Sequence, residues 1–136
     1  MTRRQAREEA FKLLYQMDIH KDEKDEVLES FLAENEIEPH HAEYIKEVVK
    51  GTTHHKEQLD KLIEENAVGW KINRISKVNM AILRLAAYEM IHRKDIPDSV
   101  SINEAVELTK NYDSNESASF VNGVLGSIQK KLQIDN

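Results

Sequence analysis

Apolar residues recur along this chain at intervals of three and four, the spacing of one face of an α-helix, and no segment alternates as a half-buried strand does. The first such segment runs from Arg3 to about Asp18. Thr2, just before it, and Gln5, in its first turn, have the spacing of a capping box, which satisfies the free amide groups at a helix N-terminus. We therefore predict a first helix that begins at Arg3. Its apolar stripe consists of Ala6, Ala10, Leu13, Leu14 and Met17.

Three further helices are predicted in the first half of the chain. The charged run at residues 20–26 forms a solvated connection to the second helix, and Pro39 starts the third because proline suits a first helical turn. A fourth helix follows, and the pattern breaks near Gly69 and Trp70, which indicates a joint between two sub-bundles. The predicted inward residues of these helices are Val27, Leu28, Phe31 and Leu32; Tyr44, Ile45, Val48, Val49 and Thr52; and Leu59, Leu62 and Ile63.

The next predicted helix is apolar almost all round and is therefore expected at the centre of the fold. Ser76 caps its start, and it ends before Pro97, because the residue that precedes a proline is disfavoured in a helix. Ser101 and Glu104 have the spacing of another capping box, so we predict that the following helix opens there.

A polar loop is predicted at residues 112–116, followed by the last helix. Gly123 and Gly126 fall inside this helix, where small residues can allow a neighbouring helix to come close. Together the patterns predict an all-α protein of about seven helices in two packed bundles. We expect one domain over residues 1–136 with a joint near residues 66–76. The apolar residues of the last helix are Phe120, Val121, Val124, Leu125, Ile128 and Leu132.

The composition narrows the classes of function. The chain has no cysteine, which excludes disulfides, thiolate metal sites and cysteine nucleophiles and agrees with a reducing compartment. No apolar run approaches the ~20 residues that span a bilayer, so we expect a cytoplasmic protein without a membrane partner. The net charge of −6 opposes nucleic-acid binding by bulk electrostatics. Residues 1–12, however, carry four basic side chains against two acidic ones, so a polyanion contact is expected on the first helix.

The motif RRQAR contains the most specific local chemistry of the chain. Arg3 and Arg7 are helical neighbours four residues apart, and Arg4 lies on the adjoining flank. At about 100° per residue, Phe11 and Tyr15 are predicted on that same flank. Arginine binds phosphate oxygens in a bidentate manner and aromatic faces stack on unpaired bases, so this flank is a candidate RNA contact. The alternative is a basic helix end that forms surface salt bridges with the two acidic residues that follow.

Neither metal binding nor catalysis is predicted. The pairs His40-His41 and His54-His55 are fourteen residues apart, which is ~21 Å on one helix, and adjacent histidines are expected to point apart. The HExxH motif does not occur, so these are predicted surface histidines. Phosphate loops, nucleophile elbows and dinucleotide fingerprints are also missing, and we expect a protein that is not an enzyme and needs no cofactor.

Four segments resemble, in order and spacing, the characteristic blocks of the NusB transcription antitermination family. The similarity extends over essentially the whole chain, although residues 20–70 contribute little to it. The segments are RRQAREEAFKLLYQMD (3–18), AILRLAAYEM (81–90), IPDSVSINEAVELTKNY (96–112) and SFVNGVLGSI (119–128).

The resemblance implies two three-helix bundles with a shared core and a role in the transcription of ribosomal RNA. It implies binding to boxA-type RNA, largely single-stranded, together with the ribosomal protein NusE, within an antitermination assembly on RNA polymerase. Gln5 interrupts the basic motif, which is longer in many relatives. The positions that match the family's RNA contacts are Arg3, Arg4, Arg7 and Tyr15 in the first helix and Tyr112, Glu116 and Phe120 near the last one.

Two other functions also have to be considered, and the sequence leaves the oligomeric state open. A helical protein–protein adaptor without RNA contact of its own is favoured by the net charge of −6 and disfavoured by the arginine and aromatic residues. A helical domain that precedes ribosomal RNA cytosine methyltransferase modules is also similar to this family. We do not expect that function, because the chain leaves no room for a cofactor-binding domain and lacks the cysteine nucleophile. A homodimer remains open, since some relatives pair through the surface that others offer to RNA.

Overall fold

The computed structural model describes residues 1–135. Over this part of the chain the structure is all-α with no strand, which confirms the predicted fold class. No described helix has the length and apolar character needed to cross a membrane. The helices are α1 (Arg3–His20), α2 (Glu26–Glu34), α3 (Pro39–His54), α4 (Lys56–Asn66), α5 (Lys77–His92), α6 (Asp98–Tyr112) and α7 (Asn115–Asp135), with a 3₁₀ turn at Ile72–Arg74 between α4 and α5.

Local sequence determines where α1 and α5 begin. The Gln5 amide donates to Thr2 Oγ1 at 3.1 Å, and the Thr2 amide donates to Gln5 Oε1 at 2.8 Å, so the predicted capping box is confirmed. Ser76 Oγ accepts from the backbone amide of Asn79 at 3.1 Å and caps α5. Pro39 occupies the first turn of α3 as predicted. Each of these contacts joins residues a few positions apart, which is why the sequence pattern predicts them.

The prediction that α6 opens at Ser101 and Glu104 is wrong. The helix begins at Asp98, directly after Pro97, and Ser101 lies buried inside it. The Ser101 hydroxyl donates to Glu89 Oε1 at 2.8 Å instead of capping a helix end. A serine and a glutamate three residues apart also occur within helices, so the spacing alone does not identify an N-terminus. The polar loop is likewise shorter than predicted, because α6 extends to Tyr112 and α7 starts at Asn115.

Helix α5 lies at the centre of the fold, which confirms its prediction from an apolar surface on all sides. It contacts α1, α3, α4, α6 and α7. Helices α1, α2 and α3 also contact one another, and α7 packs against both α4 and α6. The two groups of helices therefore share α5 and one hydrophobic core. The fully buried large apolar residues that α5 contributes are Ile82, Leu83, Leu85 and Met90.

The predicted close helix approach at Gly123 and Gly126 is wrong, because the space around both positions is open. The close approach occurs at Gly51 of α3, where an added Cβ would overlap the ring of Tyr88 in α5. The Tyr88 hydroxyl donates to Glu47 Oε2 at 3.0 Å, so this ring is held between the two helices. Glycine at position 51 thus makes room for an aromatic residue of the central helix.

A carboxylate at the end of α1 joins three helices. Asp18 lies 3.1 Å from Lys56 Nζ of α4 and 3.3 Å from Lys77 Nζ of α5, and its carboxylate is 3.7 Å from Arg84 Nη1 of α5. Burial by itself would raise the pKa of Asp18, but the neighbouring cations outweigh it and hold the pKa below its usual value. The ionised form of Asp18 therefore stabilises the fold.

Replacing Asp18 with asparagine is expected to lower the free energy of unfolding at pH 7 by about 1.5–3 kcal/mol, the range for hydrogen bonds to charged groups. Because the folded pKa is depressed, this contribution is present above pH ~4 and is lost as pH falls through the folded pKa. Urea unfolding of both proteins at pH 7 and at pH 3 measures it, with exposed Glu36→Gln as the matched control. A difference that stays constant between the two pH values would contradict this account.

Candidate RNA-binding surface

Arg7 lies inside the protein and not on its surface. The residue is only 4% exposed, and its Nε is 3.0 Å from Glu89 Oε2 of α5. Phe11, one turn further along α1, is buried as well. The predicted exposed flank with Arg7 and Phe11 is therefore wrong. Helical spacing shows which residues share a face, but whether another helix covers that face depends on packing.

The carboxylate of Glu89 connects four helices. It is fully buried and accepts from Arg7 of α1, from the Tyr44 hydroxyl of α3 and from the Ser101 hydroxyl of α6. Burial alone would lower the pKa of Arg7, but the Glu89 charge raises it above its usual value. Burial, followed by the same carboxylate, also raises the pKa of Tyr44. Arg7 is thus a charged core residue that sets the position of α1, and it is not accessible to a phosphate in this structure.

The other two arginines of the motif point in different directions. The guanidinium of Arg3 lies over the Tyr44 ring of α3, 4.2 Å from its centre. Arg4 turns toward α6, where its Nη2 and Nε each lie 3.0 Å from a carboxylate oxygen of Glu104. The Arg4 side chain remains 72% exposed. The three arginines therefore do not form one cationic face, and Arg4 is the most accessible of them.

Tyr112, at the end of α6, lies beside α1. Its hydroxyl donates to Glu8 Oε2 at 2.7 Å, and its ring is 5.0 Å from the ring of Phe11 in an edge-on arrangement. The Glu8 contact, followed by burial, raises the pKa of Tyr112. Tyr15 is half-buried and packs against the core. Arg4, Glu8 and Tyr112 therefore lie where α1 meets α6.

Glu116 and Phe120 lie on the first two turns of α7, next to Tyr112 along the chain. Glu116 is exposed, and the half-buried ring of Phe120 is 5.4 Å from the ring of Trp70. Both residues line a cleft of about 280 Å³ between α7 and the connection that precedes α5. Tyr112, Glu116 and Phe120 thus lie around the junction of α6 and α7.

Trp70 and Arg74 line the same cleft, and the sequence patterns do not single them out as binding residues. The break near Trp70 predicts only a joint between bundles. Trp70 is 49% exposed, although a large aromatic residue usually hides more of its surface. A tryptophan in a polar connection with basic residues close to it in sequence was the available signal for a binding role. Its proximity to Phe120 depends on tertiary structure alone.

Both histidine pairs differ from the prediction that adjacent side chains point apart, since the ring centres of His54 and His55 are only 5.0 Å from each other. The rings of His40 and His41 are 3.9 Å apart, and His41 is buried, so these adjacent side chains do not point apart. Together with Glu38 they place three ligand-type atoms within 4.8 Å of one another. The group stands at the N-terminus of α3, where the helix dipole disfavours a cation. These residues could contact a metal ion, although the helix dipole opposes the attraction of the Glu38 carboxylate for a cation.

The fold and this surface define a class of all-α proteins. In this class two groups of helices share a central helix. Aromatic and cationic side chains are exposed where α6 meets α7 and where α7 meets the connection before α5. The model of the NusB family matches residues 4–130. The chain therefore belongs to the NusB family.

Individual relatives agree with this assignment. The chain is 52% identical over 130 residues to the transcription antitermination protein NusB of Acetivibrio thermocellus, covering 96% of this chain and 90% of that protein. The T. maritima NusB structure superposes with a TM-score of 0.88 at 35% identity and covers 100% of this chain and 99% of that one. A structure of the antitermination factors NusB and NusE in complex with dsRNA superposes with a TM-score of 0.85 at 31% identity, with 96% and 99% covered.

Proposed function

We propose that this protein is an RNA-binding transcription antitermination factor that binds boxA-type RNA together with the ribosomal protein NusE during ribosomal RNA transcription. The observation that carries the proposal is the presence of Tyr112, Glu116 and Phe120 around the α6–α7 junction in a member of the NusB family. The structural relative that contains NusE and dsRNA supports NusE and RNA as partners. The complex would act in the cytoplasm as part of an assembly on RNA polymerase, and the chain itself would catalyse no reaction.

The guanidinium of Arg4 and the aromatic rings of Tyr112 and Phe120 suit different parts of an RNA strand. Arg4 is exposed and can exchange its Glu104 partner for a phosphate, which would set the register of the strand. The rings of Tyr112 and Phe120 offer faces to unpaired bases, which is how proteins recognise single-stranded RNA. Tyr15, half-buried, and Arg3, over Tyr44, would support this surface from within α1. Arg7 would act only by positioning α1.

Strong RNA binding by this chain would require a second protein. The chain carries a net charge of −6, and Glu8 and Glu116 lie on the candidate surface itself. Each arginine of the basic motif also has a partner within the protein. NusE would extend the surface and contribute further cations, so we expect RNA and NusE to strengthen each other's binding by the same factor.

The test is fluorescence anisotropy with a labelled single-stranded boxA-type RNA, alone and with NusE, over a range of salt concentrations. Binding should weaken with salt by a log–log slope of ~0.7 per neutralised phosphate. A duplex of the same sequence should bind less tightly, because its bases are not free to stack on aromatic side chains. RNA that remains unbound both with and without NusE would refute the proposal.

The internal pairing of all three arginines favours one second candidate, a helical adaptor that contacts only proteins. That function predicts NusE binding of equal strength with and without RNA. Calorimetric titration of NusE into the protein, in the presence and absence of boxA-type RNA, separates the two candidates.

Neutralising Glu116 is expected to tighten RNA binding by up to about tenfold at low salt. A carboxylate about 7 Å from a phosphate opposes binding by roughly 0.6–2.4 kcal/mol at an effective dielectric of ~20–80, and salt screens this repulsion. Glu116→Gln keeps the size of the side chain, and anisotropy measures the gain. If Glu116 serves only as an acidic residue in the first turn of α7, the variant loses ~0.3–1 kcal/mol of stability with unchanged RNA affinity.

A further inference from the structure

The start of α3 brings together three side chains of the kind that bind metal ions. Glu38 directly precedes the helix, and His40 and His41 belong to its first turn. A carboxylate oxygen of Glu38 and one ring nitrogen of each histidine lie within 4.8 Å of one another, and His40 Nδ1 is already 3.5 Å from Glu38 Oε2. The ligand atoms of a tetrahedral zinc ion are about 3.3 Å apart. Small side-chain rotations would therefore bring all three atoms onto one ion.

His41 is the buried member of this group. The residue is 7% exposed, and neither of its ring nitrogens has a hydrogen-bond partner among residues 1–135. One of these nitrogens is the atom that lies close to the ligand atoms of Glu38 and His40. A buried imidazole without any hydrogen bond is unfavourable, because its polar atoms have lost water without gaining another partner. Coordination of an ion would give the ring that partner.

The charges near the group favour a cation. Residues 25–45 contain seven acidic side chains and no lysine or arginine. Three of the acidic side chains, Glu34, Glu36 and Glu43, are exposed, and no ion pair involves them within the described part of the chain. The N-terminus of α3 opposes a cation with about half of one positive charge, whereas the Glu38 carboxylate alone carries a full negative charge. The local field therefore remains attractive for a divalent ion.

We propose that Glu38, His40 and His41 bind one divalent transition-metal ion, for which zinc is the best candidate. Two imidazole nitrogens and one carboxylate oxygen are a ligand set that suits zinc, whereas magnesium and calcium prefer sites made of oxygen atoms. A tetrahedral ion held by three protein ligands keeps one position for water. Since all three ligands lie within four residues, the bound ion fixes the first turn of α3 against the connection that precedes it.

Calorimetric titration of zinc chloride into the full-length chain tests the site. The protein carries no histidine tag and the buffer does not chelate metals, because either would bind zinc itself. We expect one zinc ion per chain, and magnesium chloride at the same concentrations should give no comparable binding. Because the ion binds the folded chain in preference to the unfolded one, Tm should rise with the concentration of zinc.

Variants assign the binding to its ligands. His40→Gln and Glu38→Gln alter exposed side chains, so folding should be nearly unaffected. Each should weaken zinc binding at least about tenfold, since even the loss of a group that only orients a metal ligand costs that much. His41→Gln should have the same effect, and a thermal melt without zinc verifies that this variant folds. The matched control is His54→Gln, an exposed histidine of the other adjacent pair that lies outside the group.

Loss of zinc affinity in the three ligand variants, with the affinity retained in His54→Gln, would support the site. Unchanged affinity in both His40→Gln and Glu38→Gln would overturn it, because the ion would then bind elsewhere on the chain. Equal affinity for magnesium and zinc would also overturn it, since acidic side chains alone would then attract the ion. A protein that shows neither heat of binding nor a change in Tm with zinc would refute the proposal outright.

Discussion

Replacing Arg7 with methionine is expected to lower the free energy of unfolding by about 3–5 kcal/mol, the usual cost of removing one partner from a buried ion pair. Glu89 would remain fully buried as an uncompensated carboxylate, with only the hydroxyl groups of Tyr44 and Ser101 as donors. The loss should appear in urea unfolding as a lower midpoint with an unchanged slope, and in thermal unfolding as a large fall in Tm.

A second variant tests the cause of this loss. In Arg7→Met combined with Glu89→Gln, no buried charge remains unpaired, and the amide oxygen can still accept from Tyr44 and Ser101. Much of the lost stability should therefore return. The control is Arg4→Met, because the exposed pair with Glu104 is worth only about 0–1 kcal/mol. Equal stability of Arg7→Met and Arg4→Met would contradict the structural role of Arg7.

Replacing Phe120 with alanine is expected to weaken binding to single-stranded boxA-type RNA by roughly 5- to 150-fold, which corresponds to ~1–3 kcal/mol per stacked base. The ring is half-buried beside Trp70, so alanine also removes packing at the start of α7. Anisotropy with NusE present measures the affinity, and circular dichroism melting measures the stability of the same samples.

Phe120→Leu separates stacking from packing, since leucine fills much of the same volume but offers no aromatic face. We expect this variant to melt close to the unchanged protein and still to bind RNA more weakly. Ile134→Ala, at an exposed position fourteen residues further along α7, should bind RNA normally. RNA affinity that falls only when stability falls would remove Phe120 from the RNA surface.

Packing separates the three arginines of the RRQAR motif, although their sequence positions are nearly equivalent. Arg3 contacts Tyr44 of α3, Arg4 pairs with Glu104 of α6, and Arg7 reaches Glu89 inside the core. Helical periodicity correctly places Arg3 and Arg7 on one side of α1. It does not indicate that α3 and α5 cover that side, because this depends on Tyr44, 41 positions after Arg3, and on Glu89, 82 positions after Arg7.

The sequence by itself determined the helical content, the capped starts of α1 and α5, the central position of α5 and the family. These features depend on contacts within a few residues, on the apolar period of a single helix, or on motifs that are read directly along the chain. Only the tertiary structure decided that Arg7 is buried, that Ser101 belongs to the interior of α6 and that Trp70 meets Phe120. Those contacts join distant segments, and their geometry follows from how the helices fill one core, which no local pattern records.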